Sequence, residues 1–166
     1  MCLIKNKLKY TSNKRITCYK VLESTLISPY QWFQYVLNHR YDTLFGFSTS
    51  LSSTLNDKLD RYMLERIRTT SFSSDSFYNN IKAAVEYYRK KDYDVVSKGF
   101  HTFKDIFSAE NLRRELNYYS NGREYIIVKC TIPEHTWYYE GFCGFSYSAE
   151  DNSYASESII LEEILS

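Results

Sequence analysis

The chain has 166 residues, a formal net charge of +1 and 43% hydrophobic residues, which is typical of one globular domain. The small net charge argues against nucleic acid or an acidic membrane surface as a partner, because both select a clear excess of Lys and Arg. No apolar run reaches the ~18 residues of a membrane helix, and the N-terminal residues lack the apolar segment of a signal peptide. We therefore predict a cytoplasmic protein without membrane association.

The first half of the chain begins with a basic stretch, residues 1–14, which we interpret as a solvated tail. Residues 15–23 are rich in β-branched and aromatic residues and predict a strand. Residues 31–41 are ambiguous between a short helix and a strand with two apolar faces. Residues 46–54 favour a short strand followed by a loop. Apolar residues at steps of three or four then predict two helices within an insertion at about 55–92. The apolar stripes are Leu55, Leu59, Met63, Ile67 and Phe77, Ile81, Val85, Tyr88.

The second half contains short strands at 93–96 and 99–103, a third helix that begins at Asp105 or Ser108, a strong strand at 124–132 and a final strand at 156–165. Strands and helices do not alternate regularly, so a doubly wound parallel sheet is disfavoured. We predict a single α+β domain over residues 15–166. Its sheet is mainly antiparallel, possibly split, and carries about three helices.

The four cysteines, at positions 2, 18, 130 and 143, show no spacing that is typical of a zinc site or a redox motif. Cys18 and Cys130 are predicted to be small buried residues on strands. A site formed by Cys130, His135 and Cys143 matches no standard ligand pattern. The sequence therefore predicts no metal site.

His101 lies in the stretch GFHTF, between two phenylalanines. It could act as a general base or contact a ligand, which makes it a weak catalytic candidate. In a strand, however, His101 would share a face with Phe103, and a half-buried packing role with one ring nitrogen bonded to a carbonyl is favoured. No nucleophile elbow, phosphate-binding glycine loop or zinc-hydrolase motif is present.

Six aromatic residues between 137 and 147 make this the most unusual segment chemically. We interpret it as an aromatic-rich loop in which Trp137 and Tyr139 contact a ligand or a partner protein. The alternative is a loop held across the core by its own rings. The first functional hypothesis is therefore a non-catalytic binding or interaction module that needs no cofactor.

Five stretches, taken in order, resemble a family of small, uncharacterised bacterial and phage proteins. They are CYKVL at 18–22, SPYQ at 28–31, KGFHTF at 98–103, VKCTIPEHTWYYEG at 128–141 and SYASESI at 153–159. This resemblance implies no activity. The order of the C-terminal blocks is also similar to that of ADP-ribosyltransferase-like domains, in which a split sheet binds NAD.

The second resemblance implies an alternative function, an active or degenerate domain that binds NAD or ADP-ribose. The positions that match the family's ligand contacts are Tyr19 or Lys20 on the first strand and the stretch Ser48, Thr49 and Ser50. The matching glutamate is Glu157 or Glu162. The first strand carries no Arg or His where that family has one. The resemblance predicts that Tyr19, His101 and one of the glutamates surround a single cleft.

Overall fold

The computed structural model describes residues 3–29, 33–43, 49–51, 94–96, 98–120, 122–142 and 152–165. These residues contain ten strands and one helix, α1 (Ile106–Tyr119). All strand pairs are antiparallel, and the order across the sheet is β3-β10-β7-β2-β6-β9-β8-β1-β5-β4. The strands are β1 (Leu3–Thr11), β2 (Ile16–Glu23), β3 (Arg40–Asp42), β4 (Thr49–Leu51), β5 (Asp94–Val96), β6 (Phe100–Phe103), β7 (Tyr125–Ile132), β8 (Trp137–Phe142), β9 (Ser153–Ser156) and β10 (Ser158–Ile164).

The longest pairing joins β2 to β7, from Ile16 opposite Ile132 to Glu23 opposite Tyr125. Side chains alternate between the two faces of a strand, so each strand contributes to two separate cores. Cys18 and Leu22 belong to the core on one face, where Tyr35 also packs. We call this side the loop face, because residues that precede β3 cover it. Its large, fully buried members are Leu22, Tyr35, Val128, Ile132, Ile159 and Leu161.

The opposite side, which we call the helix face, is covered by α1. Asp105 caps the helix, because its carboxylate oxygen accepts a hydrogen bond from the Ser108 N–H at 2.8 Å. Ala109 and Leu112 then pack on Val21 of β2 and Ile127 of β7. Beyond the end of the helix the chain reverses through Gly122, whose φ of +84° lies in the left-handed region that glycine adopts without strain.

The sheet is nearly divided between β2 and β6. These strands share a single residue pair, Tyr19 opposite Phe103, whereas β6 pairs with β9 over all four of its residues. The strands β3, β10, β7 and β2 therefore form one half of the sheet, and the remaining six strands form the other. Phe100 and Tyr154, from the second half, pack against the loop-face core of the first, so the loop face continues across the division.

The predicted α+β class with about three helices is wrong. The part of the chain that the structure describes is close to all-β, with ten strands and one helix. The predicted helices at 55–67 and 76–91 lie outside the described residues. The third predicted helix and the strands predicted at 15–23, 124–132 and 156–165 are observed within one or two residues of their expected ends.

Two further segments differ from their predictions. The basic tail predicted at 1–14 contains β1, which pairs with β8 and β5 inside the sheet. Its lysines at positions 5, 7 and 9 follow the two-residue period of a strand, a pattern that the charge of the segment obscured. Residues 137–142, predicted as part of a loop, form β8 between β1 and β9. Within the described ranges, no helix is long and apolar enough to cross a membrane.

Candidate functional site

Lys20 lies where β2 and β6 separate, and its side chain is on the loop face. The residue is only 8% exposed. Its ammonium donates a hydrogen bond to the main-chain oxygen of His101 at 3.0 Å and lies 5.4 Å from the centre of the Tyr35 ring. Among the residues that the structure describes, no carboxylate forms an ion pair with it. A buried positive charge thus faces one neutral acceptor and one aromatic ring.

Thr102 is the residue of β6 that lies across this separation from Lys20. It is 3% exposed, and its hydroxyl has no hydrogen-bond partner of ordinary geometry in the described part of the chain. The nearby Cys18 thiol has its pKa raised to about 12, because burial outweighs the lowering effect of the Thr102 hydroxyl and of the Lys20 charge. Burial also raises the pKa of Cys130, which lies opposite Cys18 on β7. Both thiols are therefore neutral at pH 7 and are poor nucleophiles.

Three tyrosines from three neighbouring strands extend the loop face over the second half of the sheet. The rings of Tyr10 and Tyr138 stack with centres 5.5 Å apart, and Tyr138 meets Tyr154 edge to face, also at 5.5 Å. All three residues are half-buried. We call this set the tyrosine row. Its end at Tyr154 is directly opposite Thr102, so the row leads to the separation between β2 and β6.

An ion pair lies beside the tyrosine row. The Lys104 ammonium is 3.0 Å from a carboxylate oxygen of Glu140 and 5.2 Å from the centre of the Tyr154 ring. Burial, followed by the charge of Glu140, raises the pKa of Tyr154 to about 12. The same two causes raise the pKa of Tyr138. Both phenols are therefore protonated at pH 7 and can donate a hydrogen bond.

Aromatic rings also line the first half of the sheet next to Lys20. Tyr35 and Tyr41 meet edge to face with centres 5.1 Å apart, and Phe100 lies 6.5 Å from Tyr35. Tyr35 is fully buried, whereas Tyr41 and Phe100 are half-buried. The loop face therefore carries aromatic groups on both sides of the division, with Lys20 and Thr102 between them.

His101, in contrast, has its side chain on the helix face. Its Nε2 lies 3.1 Å from the main-chain oxygen of Val96. Burial, followed by the charge of Lys20, lowers the pKa of His101 to about 4, although the bond to Val96 acts in the opposite direction. The ring is therefore neutral at pH 7, and its Nε2–H donates to the Val96 carbonyl. This is the packing arrangement that the alternation of the strand favoured.

Apart from Lys20 itself, the residues that the NAD-binding resemblance selected do not place their side chains beside Lys20 on the loop face. Tyr19 is on the helix face, where it packs beside α1. Glu162 accepts hydrogen bonds from Thr131 at 2.7 Å and from Arg15 at 3.0 Å. Glu157 lies on the bend between β9 and β10, and its main-chain N–H donates to the Trp137 carbonyl at 2.9 Å. Thr49 and Ser50 belong to β4, which is the edge strand at the end of the sheet opposite β3, and Ser48 lies outside the described residues.

Trp137 and Tyr139, the aromatic residues predicted to bind a ligand, also project from the helix face of β8. Tyr139 is buried in a small core with Val96 and Ala155. Trp137 is 47% exposed, and the Lys9 ammonium lies 3.0 Å above its ring. The residue between them, Tyr138, belongs to the tyrosine row, although we did not predict it as a site residue. The two-residue period of a strand would have separated Tyr138 from its neighbours.

No group of three or more His, Cys, Asp or Glu side chains in the described ranges could hold a metal ion. Comparison of the chain with family models, with curated proteins and with solved structures finds no match. The two resemblances drawn from the sequence therefore stay predictions.

Proposed function

We propose that the protein is a non-catalytic binding module that holds a planar aromatic ligand against the tyrosine row. The observation that supports this proposal is the geometry of Tyr10, Tyr138 and Tyr154. Their rings are contributed by three adjacent strands, contact one another at 5.5 Å and remain half-buried. Rings that are mounted on a sheet lose little conformational freedom on binding, so they offer contact area at low entropic cost.

The groups around the tyrosine row add polar recognition. The protonated phenols of Tyr138 and Tyr154 can donate hydrogen bonds to the edge of a ligand. The Lys104–Glu140 pair, with both side chains partly exposed, supplies one further donor and one acceptor. Small-molecule sites commonly combine such an apolar and aromatic lining with a few polar groups that fix orientation.

The remaining chemical groups support a role without catalysis. The thiols of Cys18 and Cys130 are buried and neutral, and the His101 ring is committed to the Val96 carbonyl. Glu162 is engaged by Arg15 and Thr131. A nucleophile needs a base within hydrogen-bond reach, and none of these groups offers such an arrangement on the loop face.

Titration with two neutral planar probes, indole and adenosine, tests the proposal. Binding is followed by calorimetry for the wild type, for Tyr138→Leu and for Trp137→Leu. Stacking on one aromatic side chain contributes about 1–3 kcal/mol, so Tyr138→Leu is expected to weaken binding at least about fivefold. Trp137→Leu is the matched control, because it changes the adjacent ring on the other face and should leave the affinity within about twofold. Equal losses in both variants, or no binding of either probe, would contradict the proposal.

The second candidate is the NAD-binding or ADP-ribose-binding domain that the resemblance implied. One observation favours it: β10, β7 and β2 are neighbours, and the sheet nearly divides beside β2. Tyr19, His101 and Glu162, however, belong to the face that α1 covers. A thermal-shift titration with NAD and ADP-ribose tests this candidate. At about a hundredfold excess over the dissociation constant, ligand binding stabilises a protein by roughly 2.7 kcal/mol, so a flat response at millimolar concentration would exclude it.

A further inference from the structure

The geometry points to an anion subsite at the separation between β2 and β6, in which Lys20 and Thr102 bind a carboxylate or phosphate group of the ligand. This inference rests on the proposed function and extends it, because it assigns a charge to the ligand. It predicts that the molecule held by the tyrosine row carries an oxyanion close to its aromatic ring.

Lys20 carries a charge and is nevertheless buried. Lysine is almost never fully buried unless it is paired, because transfer of an ammonium out of water is costly. Lys20 has one neutral acceptor, the His101 carbonyl, and the face of the Tyr35 ring. An ammonium carries three N–H donors, and the described residues provide a hydrogen-bond acceptor for one of them. The positive charge of Lys20 and two of its N–H donors therefore have no partner among the described residues, and a bound anion could supply one.

The hydroxyl of Thr102 also indicates a missing hydrogen-bond partner. It is buried and has no partner of ordinary geometry among the residues described, and the group that interacts with it is the Cys18 thiol, which is only a weak donor and acceptor. Buried hydroxyl groups normally form at least one good hydrogen bond. Thr102 shares the loop face with Lys20 and lies on the strand directly across the separation. An oxyanion between the two strands would accept hydrogen bonds from both side chains.

The subsite also lies next to aromatic rings. Thr102 is directly opposite Tyr154, the end of the tyrosine row, and Tyr35 and Phe100 flank the other side. A planar ligand on Tyr154 would therefore place a short anionic substituent between β2 and β6. Carboxylate and phosphate share this chemistry, and the choice between them is left to the probes.

The competing explanation is that Lys20 only holds the two halves of the sheet together through the His101 carbonyl. Lys20→Met distinguishes the two explanations, because methionine keeps an unbranched side chain and removes the charge. An anion subsite predicts that Lys20→Met has an equal or higher melting temperature than the wild type when no anion is present. A purely structural lysine predicts a lower melting temperature and no response to anions in either protein.

The experiment uses probe pairs that differ by one anionic group, indole with indole-3-acetate and adenosine with adenosine monophosphate. Inorganic phosphate and acetate are measured alone. Dissociation constants are determined for the wild type, Lys20→Met and Lys129→Met. Lys129 is the matched control, because it lies on the neighbouring strand β7 and projects from the opposite face. In the wild type and in Lys129→Met, we expect at least one anionic probe to bind about tenfold more tightly than its neutral partner.

In Lys20→Met the two members of each pair are expected to bind equally. In the wild type, tighter binding of indole-3-acetate than of indole would identify a carboxylate as the ligand's anionic group. Tighter binding of adenosine monophosphate than of adenosine would identify a phosphate. Should Lys20→Met not fold, Thr102→Val replaces it, since valine keeps the shape and removes the hydroxyl. That variant should reduce the anionic preference at least about threefold.

The binding experiment gives different results if the anion subsite is wrong and if the proposed aromatic site is wrong. If the neutral probes bind through Tyr138 and their anionic partners bind no better, the anion subsite is wrong and the aromatic site stands. If phosphate or acetate alone stabilises the wild type and not Lys20→Met, while no neutral probe binds, the subsite stands and the aromatic site is wrong. An anionic preference that persists in Lys20→Met would overturn the inference, as would the absence of any response.

Discussion

The two faces of the β2–β7 pair are built from alternate residues of the same strands, yet they differ in what they bury. On the helix face, Val21 and Ile127 contact apolar residues of α1. On the loop face, the same strands bury Cys18 and Leu22 together with the charged Lys20. A core that serves stability alone has no need of a buried ammonium. Both faces therefore bury apolar residues that stabilise the fold, and the loop face differs in that it also buries a charge, which is why we place the proposed binding site there.

The largest expected effect is on the helix face. Leu112 is 1% exposed and packs against β2 and β7, so Leu112→Ala removes buried methyl groups and leaves a cavity. We expect the free energy of unfolding to fall by about 2–5 kcal/mol in a urea titration. Phe107→Ala is the control on the same helix. Phe107 is 77% exposed, and its replacement should change stability by less than about 0.5 kcal/mol. Similar losses in both variants would show that α1 does not pack as described.

The second prediction concerns pH and His101. The pKa of His101 is lowered from 6.5 to about 4, so the unfolded chain binds a proton in this interval and the native protein does not. The contribution of His101 to the free energy of unfolding is fully present above pH 6.5 and decreases as the pH falls toward 4. The expected loss is up to about 2 kcal/mol at pH 5.

The measurement is the free energy of unfolding at pH 7.5 and pH 5.0 for the wild type and for His101→Gln. The glutamine variant does not titrate in this range and should lose less stability between the two conditions. An identical pH dependence in His101→Gln would contradict the assignment.

A smaller effect is expected at the start of α1. Asp105→Ala removes the carboxylate that accepts hydrogen bonds from the Ser108 N–H at 2.8 Å and the Ser108 hydroxyl at 2.9 Å. Loss of such a cap costs about 1 kcal/mol of stability. Asp105→Asn retains an oxygen acceptor and should lose less than half of that amount. Equal stability of the wild type and Asp105→Ala in thermal unfolding would show that the cap contributes nothing.

The smallest effect on stability is expected beside the tyrosine row. The Lys104–Glu140 pair is partly exposed, so Glu140→Gln should change the free energy of unfolding by less than about 1 kcal/mol. The same substitution removes the negative charge that raises the pKa of Tyr154, and that pKa should move down. Ultraviolet titration of the tyrosines checks the direction. An unchanged or higher pKa would show that Glu140 does not influence the row.

The strands that pack on both faces were the easiest elements to predict from the sequence. Residues 124–132 are dense in β-branched residues, and β7 is observed at Tyr125–Ile132. The burial of Cys18 and Cys130 was also predicted and is confirmed. The short strands predicted within 46–54 and at 93–96 are observed as β4 and β5. The edge strand β3 was harder to predict, because its three residues are too few for a period to be visible.

The candidate site was still harder to predict from the sequence, because it depends on which strands become neighbours in the sheet. Lys20 was selected from the sequence, but its partner Thr102 is 82 positions later and no local pattern connects them. Tyr10 and Tyr138 are brought together in the same way by the pairing of β1 with β8. Trp137 and Tyr139 attracted attention for their aromatic character, whereas the alternation of β8 places them on the helix face and Tyr138 on the loop face.

An aromatic NMR titration with indole-3-acetate and adenosine monophosphate compares the two faces directly. The account predicts that ring signals of Tyr10, Tyr138 and Tyr154 shift with increasing probe, while those of Trp137 and Tyr139 on the helix face stay in place. Shifts confined to Trp137, or to the exposed Tyr118 and Tyr119 at the end of α1, would contradict the assignment of the loop face as the binding surface. A spectrum that does not change at millimolar probe would contradict the proposed function as well.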